Sequence, residues 1–248
     1  MPSSSQPLLL FLSLPFAKSL LSCTKRNTPL IYDTLILHMT SLWYSSVIAL
    51  LPSGAQVLDI GMGTASSLIA NLPQLRAKQL TFTGVDFTPE YVTAANANAA
   101  KASATPSISN HYGSVYDHDL LQTLSPSAKF DAIYFSGSIS LLPDPVAALN
   151  SVARVLKPNG VVYVTQTFQH ISPPFLSLAK PAIKYLTTID FGALLYNDEI
   201  LDIYDQSELQ LVSHTRIPGS VNNMFQSAYL TVLHLHPASH TTVPCHKT

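Results

Sequence analysis

Val57-Leu58-Asp59-Ile60-Gly61-Met62-Gly63-Thr64-Ala65 is the stretch from which the rest of the chain is read. An apolar strand ends in an acid, a glycine turn follows, and a helix of small residues begins. Glycine permits the sharp turn and lets a ligand approach the backbone closely. The helix that follows offers unpaired N–H groups and a positive end. The form differs from the dinucleotide fingerprint, because the acid precedes the glycines and no Gly-x-x-Gly follows. That difference argues against a nicotinamide-dependent dehydrogenase.

The chain downstream sharpens this reading. Thr81-Phe82-Thr83-Gly84-Val85-Asp86 is a second strand ending in an acid. An acid about 20 residues beyond the first turn is placed to hold ribose hydroxyls. Gly113-Ser114-Val115-Tyr116-Asp117 follows a short third strand near Ile108 to Tyr112, and Phe130-Asp131-Ala132-Ile133-Tyr134-Phe135 is a buried fourth one. Leu141-Leu142-Pro143-Asp144-Pro145 then leads into a helix through Leu156, and Lys157-Pro158-Asn159-Gly160 into a fifth strand, Val161 to Thr165. Between these strands the pattern predicts helices at Ala65 to Asn71 and at Pro89 to Lys101, the second with Thr88 as cap and Pro89 at its first position. A helix near Asp198 to Ser207, a sixth strand at Gln210 to Arg216 and an antiparallel seventh at Ser227 to Leu235 complete the series. Strands alternating with helices imply a parallel sheet with right-handed crossovers.

This order and wording, from Gln56 to Gln166, resemble the class I S-adenosylmethionine-dependent methyltransferases, in the broad small-molecule group. The resemblance implies an α/β, Rossmann-like doubly wound fold with a mostly parallel seven-stranded sheet and an antiparallel last strand. It implies S-adenosyl-L-methionine as cofactor, transferring its methyl group to a small, hydrophobic or aromatic acceptor. Carried onto this sequence, Asp59, Gly61 and Gly63 hold the methionine part, with Ala65 where relatives often carry a third glycine. Asp86 accepts hydrogen bonds from the ribose hydroxyls, and Phe87 packs on the adenine. Ser114 stands where relatives carry Asp or Asn for the adenine amine, Val115 presents its backbone to the ring, and Phe135 joins the cofactor-binding set. His170, just after strand five, is the candidate general base, with Ser136 and Tyr134 as weaker candidates. No metal site is expected.

Composition narrows the acceptor. Only 11% of the 248 residues are charged and the net charge is −1, against about 25% charged in an average protein. No basic field is available to draw in nucleic acid. The two cysteines, Cys23 and Cys245, form neither a metal spacing nor a disulfide framework. A cytoplasmic location is the default. Leu8 to Phe16 is almost wholly apolar but too short to span a bilayer. Residues 1–31 are therefore read as an apolar N-terminal segment, with membrane-surface contact through residues 8–22 or targeting as its alternatives to packing over the fold.

Residues 32–236 form the catalytic domain in this reading, and 237–248 a polar tail. Tyr32 to Leu51 has helical spacing and lies where it covers the cofactor. Residues 171–196 are an apolar insertion that caps the acceptor. Phe135-Ser136-Gly137-Ser138 lacks the Asn/Asp-Pro-Pro-aromatic run of enzymes that methylate base amines. Alternatives carried forward are a protein or RNA methyltransferase of the same fold and a non-catalytic partner subunit. The oligomeric state is not legible.

Overall fold

The computed structural model describes residues 37–124, 129–170, 196–224 and 226–236. The sequence readings for 1–31, 171–195 and 237–248 lie outside these residues, and with them the membrane contact through 8–22 and most of the acceptor cap. Among the described residues, no helix is long and apolar enough to cross a membrane.

A seven-stranded sheet organises the chain. Its strands are β1 (Gln56–Ile60), β2 (Thr81–Asp86), β3 (Ile108–Tyr112), β4 (Phe130–Ser136), β5 (Leu156–Gln169), β6 (Leu209–Arg216) and β7 (Gln226–Leu235). They lie in the order β3-β2-β1-β4-β5-β7-β6. Strands β1 to β5 pair in parallel, and β7 runs antiparallel to both β5 and β6. The expected fold class is the observed one. The strand order reverses between β1 and β4, so the crevice beyond their carboxyl ends is the position for a ligand.

Helices cover both faces. A helix over 37–50 (α1), α2 (Ser66–Ile69), α3 (Leu72–Ala77) and α4 (Pro89–Lys101) pack on one. The other carries α5 (His118–Leu124), α6 (Pro145–Ala153) and α7 (Asn197–Asp205). Each face has its own core. Trp43, Val47, Leu68, Leu75 and Phe82 belong to the first, and Ile133, Phe135, Leu149, Phe168 and Leu233 to the second. Strands buried on both faces read as continuous apolar runs rather than alternating ones, which is why β1 was recognisable.

Four local readings need correction. The helix expected over Ala65 to Asn71 is the shorter α2, and α3 follows it directly as a second helix that was not expected. Pro73 lies in the first turn of α3 and has no N–H to give a preceding turn, so α2 stops and α3 starts afresh at Leu72 with Asn71 as its cap residue. Thr88 occupies the cap position of α4, but its side chain makes no capping bond; its N–H instead donates to Asp86 Oδ1 at 2.9 Å. The helix expected to reach Leu156 ends at Ala153, because Leu156 is taken into the sheet opposite Phe130. Strand β5 is longer than expected at both ends, with Lys157 to Gly160 bulging out between the pairings Phe130–Leu156 and Ala132–Val161. Lys157 on this bulge pairs with Asp131 at 2.7 Å. Asp131 also accepts from the Gln56 N–H at 2.9 Å, tying the starts of β1, β4 and β5 together at the end opposite the crevice.

Candidate active site

Asp59 and Asp86 sit at the carboxyl ends of adjacent parallel strands, with Asp59 beside Gly84 and Asp86 beside Tyr112. Between them runs the loop of Gly61 and Gly63. Gly61 has φ +75°, and a Cβ there would lie 2.6 Å from Ser138 Cβ. Ser138 itself donates to the Ile60 carbonyl. The turn therefore needs both the conformational freedom of glycine and its lack of a side chain. Gly63 has φ +60° and open space where a Cβ would stand. Its N–H donates to Asp86 Oδ2 at 2.9 Å. The Asp86 carboxylate is 8% exposed and holds two backbone amides, those of Gly63 and Thr88. Ionised carboxylate oxygens each accept more than one hydrogen bond, so capacity for hydroxyl donors remains.

Asp59 is fully buried. Its Oδ2 accepts from the Tyr44 hydroxyl of α1 at 2.6 Å. Among the described residues its Oδ1 has no hydrogen-bond partner, and the buried Ser136 Oγ lies within reach of the Tyr44 and Tyr134 hydroxyls. Burial pushes the Asp59 carboxyl up to about 7, the Tyr44 hydrogen bond pulls it down, and the charge of Asp86 adds to the rise. Tyr134, the register neighbour of Asp59 on β4, stands edge-on to Tyr44 at 5.0 Å and shares a 2.7 Å hydrogen bond with Thr165. Tyr134 is fully buried and belongs to this polar cluster with Tyr44, Asp59 and Thr165.

The segment expected to meet the adenine is more open. Phe87, directly after Asp86, is 69% exposed, an uncovered ring suited to stacking. The Ser114 hydroxyl accepts from the Tyr116 N–H at 3.2 Å and so closes its own turn. Val115 is buried, and its carbonyl accepts from Ser151 Oγ at 2.7 Å. Phe135 is fully buried among Ile60, Val85 and Ile139. Its ring belongs to the core at the end of β4.

His170 follows β5 on the surface. Its Nε2 lies 2.8 Å from Ser227 Oγ, and Ser227 Oγ donates to Asn222 Oδ1 at 2.8 Å. With the serine proton committed to Asn222, Ser227 accepts from His170 Nε2–H, which leaves Nδ1 as the basic nitrogen. Ser227 is fully buried, so this chain orients an exposed imidazole from below. Helix α1 bridges the two regions. Thr40 Oγ1 meets Ser67 Oγ at 2.6 Å on the cofactor-loop side, and Trp43 Nε1 donates to Ser220 Oγ at 2.9 Å on the side of β6 and β7.

Sequence reasoning missed Tyr44, Ser138, Ser227 and Asn222. Tyr44 left one signal, a polar atom on the otherwise apolar face of a helix, which must find a buried partner. The residues present fit S-adenosylmethionine. The glycine loop is open at Gly63, an unpaired carboxylate oxygen stands at Asp59, a second carboxylate ends β2, and an uncovered aromatic ring follows it.

Comparison with known proteins agrees. A family described as "Methyltransferase domain" matches residues 51–185, more than half of the chain. The arsenite methyltransferase of Aquipseudomonas alcaligenes is 32% identical over 118 residues, 46% of this chain and 33% of that protein. A ubiquinone biosynthesis O-methyltransferase of Xanthomonas oryzae pv. oryzae is 29% identical over 137 residues, 55% of this chain and 52% of that protein. The chain thus spans a third to about half of the length of these relatives. In structure, a methyltransferase of Thiobacillus denitrificans in complex with S-adenosyl-L-homocysteine superposes with a TM-score of 0.54 at 15% identity, over 79% of this chain and 90% of that one, which bears on the fold alone. The chain belongs to the class I S-adenosylmethionine-dependent methyltransferases.

Proposed function

We propose that this chain transfers a methyl group from S-adenosylmethionine to a small hydrophobic or aromatic acceptor. One observation carries the reading: two largely buried carboxylates end adjacent parallel strands and flank a glycine loop with open space at Gly63. When bound, the cofactor supplies the activated methyl group, and the protein supplies alignment and exclusion of water. Asp86 holds the ribose, Gly61 and Gly63 admit the methionine part to the backbone, and Phe87 stacks on the adenine. Ser114 and Val115 line the adenine edge through their turn.

The acceptor side is built from the ends of β5 and β7. His170, oriented by Ser227 and Asn222, takes the acceptor proton on Nδ1 where the acceptor is a hydroxyl, amine or carbon acid. We assign acceptor cover to residues 171–196 within a catalytic domain of residues 32–236, because that insertion leaves β5 directly beside His170. Small acceptors are supported by the relatives, whose names concern arsenite and ubiquinone biosynthesis. Purified protein incubated with methyl-labelled S-adenosylmethionine and panels of lipophilic phenols, amines, acids and trivalent arsenic tests the reading. Label in a small product supports it, whereas binding of cofactor without transfer to any member, together with label on a protein or RNA, would replace it.

A further inference from the structure

Three features of one cluster are left over by the functions assigned so far. Asp59 is fully buried, yet among the described residues only one of its two oxygens is bonded, and that bond comes from α1 rather than from the glycine loop that follows it. Ser136 Oγ, on β4, is buried too and lies within reach of the Tyr44 and Tyr134 hydroxyls. The Tyr44 hydroxyl that reaches Asp59 lies on a helix whose flanking residues touch both the cofactor-loop helix and the β6–β7 connection. A buried acceptor without a partner costs about 1–3 kcal/mol, and more when charged. Such a group persists where a ligand completes it.

We propose that Tyr44 is a positioning residue: it holds Asp59 Oδ2 and leaves Oδ1 as the acceptor for the cationic amino group of the cofactor, so that the seating of α1 and the occupancy of the cofactor site favour each other. The inference rests on the cofactor reading above and adds α1 to it. Coupling of this kind is reciprocal. A cofactor that draws the proton off Asp59 strengthens the Tyr44 bond, and a seated α1 tightens the cofactor.

The charges around Asp59 set the sign. Tyr44 faces it from α1, Tyr134 from β4 and Asp86 from β2. Burial pushes both tyrosines up, so they stay neutral in the working range. The Tyr44 hydrogen bond favours the ionised carboxylate. Without it Asp59 holds its proton to higher pH, and a cationic ligand finds a neutral partner.

The test uses S-adenosylhomocysteine, which keeps the amino group but lacks the sulfonium charge. Calorimetric affinity is measured from pH 5 to 9 for the parent protein and for Tyr44→Phe, which keeps the ring packing. Parent affinity should fall on the acid side with a midpoint near the Asp59 titration. In Tyr44→Phe that midpoint should move to higher pH by about one unit, with affinity roughly 5- to 30-fold lower at pH 7 and recovering at pH 9. Amide hydrogen exchange in α1 should slow on ligand binding in the parent and much less in the variant. A uniform loss of affinity with an unmoved midpoint, or no loss, would overturn the proposal while leaving the cofactor reading in place. A parent protein that does not bind S-adenosylhomocysteine at all would overturn both. Should Tyr44→Phe not fold, the midpoint of the Asp59 carboxyl followed by NMR in the parent, with and without ligand, decides. A fall on binding supports the proposal, and no change overturns it.

Discussion

The ends of β1 and β2 carry negative charge into the interior, whereas the far side of the same sheet, where β5 meets β7, uses neutral polar groups. Asp59 and Asp86 are taken out of water and compensated by one tyrosine hydroxyl and two backbone amides. At the other region His170, Ser227 and Asn222 form a hydrogen-bonded chain, and Gln169 donates to Gln226 at 2.9 Å beside it. Under the proposed function the contrast divides the work: a cationic cofactor, the same at every turnover, meets carboxylates, and a variable acceptor meets hydrogen-bonding groups whose desolvation costs less.

His170→Ala should produce the largest effect if the division holds. General-base loss typically costs about 10²–10⁴-fold in turnover, with cofactor affinity unchanged because the lesion lies on the neutral side. Ser227→Ala should lower turnover less, since it frees the imidazole without removing it. A normal rate in His170→Ala would strip the β5–β7 region of its chemical role and leave it to alignment alone.

Asp86→Ala is the converse test. Loss of a charged acceptor costs about 1.5–3 kcal/mol, or roughly 10- to 150-fold in cofactor affinity, as read by calorimetry. The same change releases the Gly63 and Thr88 amides, so exchange at those two positions should quicken. Unchanged affinity would show that Asp86 serves the loop and not the ribose.

Asp59→Asn should show what the buried charge costs. The folded carboxyl titrates at about 7, above the ordinary value of about 3.9. Its contribution to stability is therefore full below pH 4 and is lost as pH rises through 7. Asn at this position does not ionise, so the variant should gain on the parent across that window. Above pH 7 the gain should be on the order of 2–4 kcal/mol. Thermal unfolding at pH 4 and pH 8 checks it: equal differences at the two pH values would mean that Asp59 is not held up by burial.

The smallest effect belongs to Ala65, which holds φ +57° at the start of α2. Ala65→Gly removes left-handed strain but also a buried methyl group, worth about 0.8 kcal/mol, so stability should stay within ~1 kcal/mol of the parent. Ala65→Val, β-branched at positive φ, should lose about 1–3 kcal/mol. Denaturant titration of the pair separates the two contributions.

Much of the charged region was legible in the sequence, because it is written locally. Strand β1, strand β2 with its terminal acid, α4 and β3 have the boundaries that their residues predict. The neutral region was legible only in part. His170 could be placed after β5, but Ser227 lies 57 residues further on, and no local pattern announces that an interior serine will meet it. The burial of Phe135 was likewise not legible, since alternation along β4 does not separate the two covered faces of the strand.

By itself the sequence determined the order of strands and helices, the parallel sheet, the glycine turn and the acids that end β1 and β2, because each depends on neighbours a few residues away. The tertiary structure alone decided that α1 crosses above Asp59 and gives it Tyr44, that Tyr134 and Thr165 close beneath, and that Ser138 fills the space left by Gly61. A buried polar atom must find a partner, and the sequence states that need; which atom answers it depends on how distant segments pack.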